Sequence, residues 1–181
     1  MSARQRIILG IDPGVAQLGY GIVEASADVV RHIVHGCVTT PSAAALPFRL
    51  RLIHDVLSEI RSRYAITDVA VEALFHSRNV RTAMSVSHAR GVALVATVDG
   101  DTAFAEYTPT DVKMAITGYG AAGKRQVQEM VKLMLSLETE PQPDDAADAL
   151  AVALCHAKRA AFSEVLARAA DGAERPRAEL R

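Results

Sequence analysis

The apolar segments of this chain end on carboxylates. Residues 6–11 (RIILGI) form a short continuous apolar run that reads as a central strand, and the run stops at Asp12. Residues 66–72 form another, and it closes on Glu72. A carboxylate at the end of a buried strand is costly unless a cation or hydrogen-bond donors meet it. In α/β sheets such strand ends are where sites collect. Asp145 and Asp148 add a second pair of acids, three residues apart in a helical segment, so that both project from one face a turn apart. Hard oxygen ligands on separate elements are what Mg2+ or Mn2+ uses. The chemistry they point to is metal-assisted reaction at phosphate, with two ions clamping an in-line displacement.

The rest of the chain reads as alternating layers. After Asp12-Pro13-Gly14, which is turn chemistry, residues 19–24 and 29–40 make two further strands joined by short loops, an antiparallel meander. Gly19 and Gly21 weaken the first of these. Residues 46–64 have helical spacing, with Leu50, Ile53, Val56 or Leu57, and Ile60 on one stripe and Pro47 in the first turn. A long helix is expected over 80–98 and a strand over 103–107. A helix start follows at Thr108-Pro109-Thr110-Asp111. Further helices are expected over 124–137, with Val127, Met130 or Val131, and Met134 inward, and over 144–162. Three strands, helix, strand, helix, strand, then helices is the order of an α/β layered domain with a mixed sheet. The expected organisation is one domain over residues 1–160 and a flexible tail over 161–181, rich in Ala, Arg and Glu with little apolar periodicity.

Composition bounds the partners only loosely. Half of the 181 residues are hydrophobic but only 4% are aromatic, so Val, Ile, Leu and Ala must fill the core. Twenty Lys and Arg against 21 Asp and Glu give a formal charge of -1, which carries no global pull toward nucleic acid or an anionic membrane. Acidic metal ligands can cancel a basic groove elsewhere. Cys37 and Cys155 belong to no CxxC pattern and read as reduced, buried thiols. With no signal-peptide h-region and no run of transmembrane length, the expectation is a cytoplasmic protein without a membrane partner.

Each acid has an ordinary explanation when taken alone. Asp145 and Asp148 follow Pro141 and Pro143 into the first turns of a helix, where the helix dipole favours any anion. Asp12 before Pro-Gly is a common turn residue. Asp144 competes with Asp145, since Asp144 and Asp148 are helical neighbours at four apart. Glu72, between Val71 and Ala73, is the hardest to explain as an ordinary surface residue. Gly10 and Gly14 beside Asp12 would let phosphate or backbone approach closely, and the alanines around Asp145 and Asp148 would let that helix lie close to a sheet.

Five stretches carry a resemblance: ILGIDPGVAQLGYGIVE (8–24), VEALFHSRN (71–79), ARGVALVA (89–96), GKRQVQEMV (123–131) and DDAADALAVALCHA (144–157). In this order and spacing the chain resembles the RuvC family of Holliday junction resolvases. The resemblance implies an RNase H-like fold, a five-stranded mixed sheet flanked by α-helices. It implies a homodimer that makes paired symmetric nicks in four-way junction DNA, with 5'-phosphate and 3'-hydroxyl products. It also implies two Mg2+ ions, or Mn2+, per active site, and RuvA and RuvB as partners in branch migration. Asp12, Glu72, Asp145 and Asp148 fall on the family's catalytic, metal-holding acids, which selects Asp145 over Asp144. Phe75 falls on an aromatic that stacks near the junction centre, and Lys113 and Lys124 fall on basic residues near the scissile DNA.

Residues outside the acids supply a DNA surface. From Phe75 to Val98 there are three arginines, Arg78, Arg81 and Arg90, and no Asp or Glu, a local basic stretch suited to phosphate contacts. Within the helix at 80–98, residues Val80, Met84, Gly91, Leu94 or Val95, and Val98 line one face. Its second half, GVALVATV, is apolar nearly all round, which fits burial on two sides, one of them against a twin helix. The match of residues 118–124, GYGAAGK, to a phosphate-binding loop fails for want of a following Ser or Thr and a preceding strand. The six histidines form no zinc spacing. An actin-like ATPase would need a second such domain, and a silent binding module would be expected to have lost one of the acids.

Overall fold

The computed structural model describes residues 5–26, 29–73 and 80–173. Five strands, β1 (Arg6–Asp12), β2 (Gln17–Ser26), β3 (Val29–Thr39), β4 (Asp68–Glu72) and β5 (Ala103–Tyr107), form one sheet in the order β3-β2-β1-β4-β5. The first three strands are an antiparallel meander, whereas β4 lies parallel to β1 and β5 parallel to β4. Helices α1 (Leu46–Arg63) and α2 (Val80–Thr97) cover one face. Helices α3 (Pro109–Thr117), α4 (Lys124–Met134) and α5 (Asp144–Ala173) cover the other.

Strand alternation decides what each face receives. On β1, Leu9 and Ile11 pack toward α1 and α2, and on β4 so do Val69 and Val71. Ile8 and Ala70 turn to the α5 side. The register pairs Ile8 with Asp68, Gly10 with Ala70 and Ile11 with Val71. The next step along both strands brings Asp12 and Glu72 side by side, on the α5 face. The stripe on α1 is resolved to Ile53, Leu57 and Ile60, and that on α4 to Val127 and Val131. Helix α3 begins with a capping box in which Thr108 and Asp111 exchange side-chain and backbone bonds. Gly118 closes that helix in the left-handed conformation, so residues 118–123 join two helices and are not a phosphate-binding loop.

Helix α5 lies directly on β1 and β2. A Cβ at Gly10 would overlap the carbonyl oxygen of Ala149, and one at Gly19 would overlap that of Asp145. The backbone that Gly10 admits is therefore that of α5. The glycine at position 19 that weakens the sequence signal for β2 is a landing place for the same helix. Ala146, Ala147, Ala149, Ala151 and Ala153 are all buried in this contact. At its far end α5 runs on to Ala173, and Glu164 there accepts from Arg6 of β1 at 2.9 Å.

Within its own chain helix α2 is buried on one side only. Ala89, Ala93 and Thr97 are buried against the α1 layer, while Val95 is 78% exposed and Met84 58% exposed.

Gly19→Ala is expected to lower stability by roughly 2 kcal/mol, the usual scale of overpacking in a tight core. Calorimetric melting of the two proteins side by side checks this. An unchanged melting temperature would mean that α5 does not bear on the sheet this closely.

Candidate active site

The end of the sheet where β1 and β4 stop gathers the four acids. Asp12 and Glu72 arrive on the strands, and Asp145 and Asp148 on the first turns of α5, which Gly19 and Gly10 hold against the sheet. Burial raises the Asp12 carboxyl to about 7, and the charges of Glu72, Asp148 and Asp145 push the same way against a partial opposing effect of Lys124. Burial also raises Glu72, aided by Asp148, with Lys113 and Lys124 acting in the other direction. Asp148 is raised by burial as well and relieved by Lys124. Asp12 thus feels the other three acids and Glu72 feels Asp148 at a low-dielectric strand end, which marks a site short of positive charge.

Asp144 faces elsewhere. It accepts from Gln128 at 3.0 Å and pairs with Lys124 at 3.1 Å, and it is absent from the charges that act on Asp12. Lys124 bridges to the cluster, its Nζ lying 3.2 Å from Asp148. A cavity of about 220 Å3 opens beside these groups, lined by Glu72, Asp148, Lys113 and Lys124 with Pro109, Val112, Val127 and Ala151. A second depression, of about 450 Å3, lies against Asp145 between the β1–β2 turn (Gly14, Val15, Ala16, Gln17) and Ser85 and Val86 of α2. The acids therefore sit between two hollows, one with lysines on its wall.

Oxygen donors that burial and mutual repulsion hold above their ordinary pKa are a fit for a divalent cation, which would relieve both penalties. Among the described residues no three such side chains already close on one point, so the cluster is open and a cation would have to draw it together.

The other site candidates divide. Phe75 and Arg78 lie outside the described residues. Arg81 is in the first turn of α2, but its side chain is outside them too. Arg90, grouped with these as a phosphate contact, is instead ion-paired with Glu106 of β5, so it is not a free cation. His156 is buried and satisfied, bonded to Tyr107 at 2.8 Å and Asp68 at 3.0 Å. Sequence reading passed over Gln128. A polar residue on the apolar face of α4, next to Val127 and 8% exposed, was the available signal.

A mixed sheet in this order, with acids closing its first and fourth strands and a third element laying more acids across them, has the RNase H-like architecture. Comparison with known proteins narrows this. The family model described as "Crossover junction endodeoxyribonuclease RuvC" matches residues 8–156. The protein of that name from Rubrobacter xylanophilus is 48% identical over 177 residues, 98% of this chain and 96% of the relative. The Thermus thermophilus RuvC structure superposes with a TM-score of 0.80 at 35% identity, covering 87% of this chain and 96% of that one. The same protein in complex with Holliday junction substrate gives 0.77 at 32% identity, covering 88% and 96%. The chain belongs to the RuvC family of crossover junction endodeoxyribonucleases, a family whose divalent-metal dependence suits this donor set.

The elevated Asp12 carboxyl has a consequence for folding. Its folded pKa lies near 7, above its ordinary value of 3.8, so its contribution to stability is complete below about pH 4 and is lost as pH rises through 7. In the presence of chelator, Asp12→Asn is expected to be more stable than wild type at pH 8, by up to roughly 4 kcal/mol, and equal to it near pH 4. Divalent cation should raise the wild-type melting temperature at pH 8 and the variant's much less. Melting curves with chelator and with excess Mg2+ at both pH values check this. Identical pH profiles for the two proteins would remove Asp12 from the charged cluster.

Proposed function

We propose that this chain resolves Holliday junctions as a homodimer, each protomer using Asp12, Glu72, Asp145 and Asp148 to hold two Mg2+ ions and nick one strand. The observation that carries the reading is the meeting of strand-end and helix acids beside a lysine-walled cavity in a chain of the RuvC family. A junction-bound relative of similar fold supports four-way DNA as the substrate.

Bound divalent ions would supply an activated water and a stabilised 3'-oxygen leaving group, giving a 5'-phosphate and a 3'-hydroxyl. The protein's own groups do the rest. Asp12, deepest among the acids and coupled to the other three, suits a ligand shared between ions. Glu72 and Asp148 would each hold one, and Asp145, on the far hollow, would hold or orient from that side. Lys113 and Lys124 offset the scissile phosphate's charge from the cavity wall. Arg78 and Arg81 would position the backbone and Phe75 would stack on a base at the opened centre.

The exposed side of α2 is the dimer surface in this reading. Met84, His88, Gly91 and Val95 succeed one another at helical spacing on the side turned from the core. An apolar stripe in which a Cβ at Gly91 would meet nothing of its own chain suits close approach of a two-fold copy. Two active sites related by that axis account for two nicks. RuvA and RuvB are the partners that would deliver and move the junction. No described helix is long and apolar enough to cross a membrane, which is compatible with work on cytoplasmic DNA.

A synthetic mobile four-way junction and a linear duplex of the same sequence, each with Mg2+ or Mn2+, test the reading. Wild type is expected to give paired symmetric nicks in the junction alone. Asp12→Asn should lower the rate by at least about a thousandfold, the scale of several kcal/mol of transition-state stabilisation, while binding persists. Equal cutting of the linear duplex would overturn the junction specificity. Val95→Glu is expected to convert dimer to monomer in sedimentation velocity and to replace paired nicks by slow single ones. A variant that remains dimeric would move the interface off this face.

A further inference from the structure

Lys124 is held by two carboxylates of different standing. Asp148, 3.2 Å from its Nζ, lines the cavity and acts on Asp12, whereas Asp144, at 3.1 Å, reaches Asp148 but neither Asp12 nor the cavity wall. Asp144 is itself held. Gln128 Nε2 donates to its Oδ1 at 3.0 Å, leaving Oδ2 to face the ammonium. Gln128 is buried on the inner side of α4, where an unbonded amide would be costly, so this hydrogen bond has a reason to persist. The first two turns of α4 and the first residue of α5 are thereby clasped at the rim of the cavity that Glu72 and Lys113 also line.

A cation that engages Asp148 competes with the ammonium already there. A lysine on a four-carbon stem that loses its sole carboxylate partner gains rotamer freedom by turning to water. With Asp144 as a second partner off the cavity wall, Nζ can give up Asp148 and stay at the rim. We propose that Asp144, braced by Gln128, is a positioning residue for Lys124: it keeps the ammonium at the cavity mouth when a divalent ion takes Asp148, where it meets the substrate phosphate. The inference rests on the metal-dependent junction cleavage proposed above and gives a role to the acid at the start of α5 that does not act on Asp12.

Two measurements on the full chain test it. The first is the acylation rate of Lys124 by an amine-reactive reagent, read by peptide mass spectrometry with and without Mg2+. The second is junction cleavage under single turnover together with junction affinity. The variants are Asp144→Ala, Asp144→Glu, Asp144→Asn (which keeps an acceptor for Gln128 but not the charge), Lys124→Ala and the double Asp144→Ala/Lys124→Ala. In Mg2+, Asp144→Ala and Asp144→Asn are expected to raise Lys124 acylation several-fold. They should slow cleavage about three- to tenfold, the scale of a partly exposed ion pair, at unchanged junction affinity. Asp144→Glu should restore both, and Asp144→Ala should add no further loss in the Lys124→Ala background. Additive losses in the double variant, or Lys124 acylation unaffected by Asp144→Ala, would overturn the proposal. Acylation reads the clasp without any cleavage, so a wild type that fails to cut junctions would sink the resolvase reading and leave this one to be decided by its own result.

Discussion

Everything at the active end depends on how near one helix comes to the sheet. The carbonyl of Asp145 is seated over Gly19 and that of Ala149 over Gly10, so two positions of α5 touch strand backbone with no side chain between. A close-packed contact of this kind does not yield gradually. Any side chain at either glycine would move α5 outward as a body and carry Asp145 and Asp148 with it. The strands fix Asp12 and Glu72 through their ladder, and the two missing side chains fix the others. Side chains that act as one set need placement to within a fraction of an ångström, and here the placement resides in backbone contacts and not in loops.

The same closeness makes the site expensive. Asp12, Glu72 and Asp148 are raised by burial and by neighbouring carboxylates, and the lysines at the cavity rim compensate in part. A fold selected for stability alone would not collect these charges, and the alanine-lined contact of α5 and the two apolar layers must offset them. The Lys124 ammonium carries one charge and already divides it between Asp144 and Asp148, so it offsets the buried acids only in part. A divalent ion with oxygen preference would relieve more of this repulsion than an ammonium does, which fits the metal role proposed for these acids.

Much of this was legible in the sequence because it is local. Strand ends, the capping box at Thr108 and the helical stripes follow from periodicity and punctuation, and the element order followed from them. What was not legible depended on partners far along the chain. Gly19 looked like a strand breaker because its reason, the Asp145 carbonyl, lies over a hundred residues away. Arg90 looked like a free phosphate ligand because nothing near it in sequence reveals Glu106. Asp144 and Asp145 could not be told apart by spacing, since both are helical neighbours of Asp148. The direction each faces depends on Gln128 and Lys124 of another helix. The second half of α2 reads as apolar on all sides, and only the packed chain shows that α1 covers one side and leaves the Val95 side bare.

Strand β4 contains its own control on the meaning of a buried acid. Asp68 and Glu72 stand at its two ends, on the same face and under the same helix. Burial pushes the Asp68 carboxyl up, yet hydrogen bonds from His156 and Thr67 and the charge of Arg6 more than reverse this and hold it at about 2. Each of its partners is accounted for: Arg6 at 2.6 Å is also tied to Glu164, and His156 is also bonded to Tyr107. Such an acid is finished, and its network pins α5 to the quiet end of the sheet. Glu72 meets Asp148 and the cavity lysines only at a distance and stays raised. Two carboxylates on one strand, equally buried by sequence pattern, are thus separated by whether the fold supplies the countercharge. Where it supplies everything, the acid is structural. Where it withholds the countercharge, the site is built to receive one.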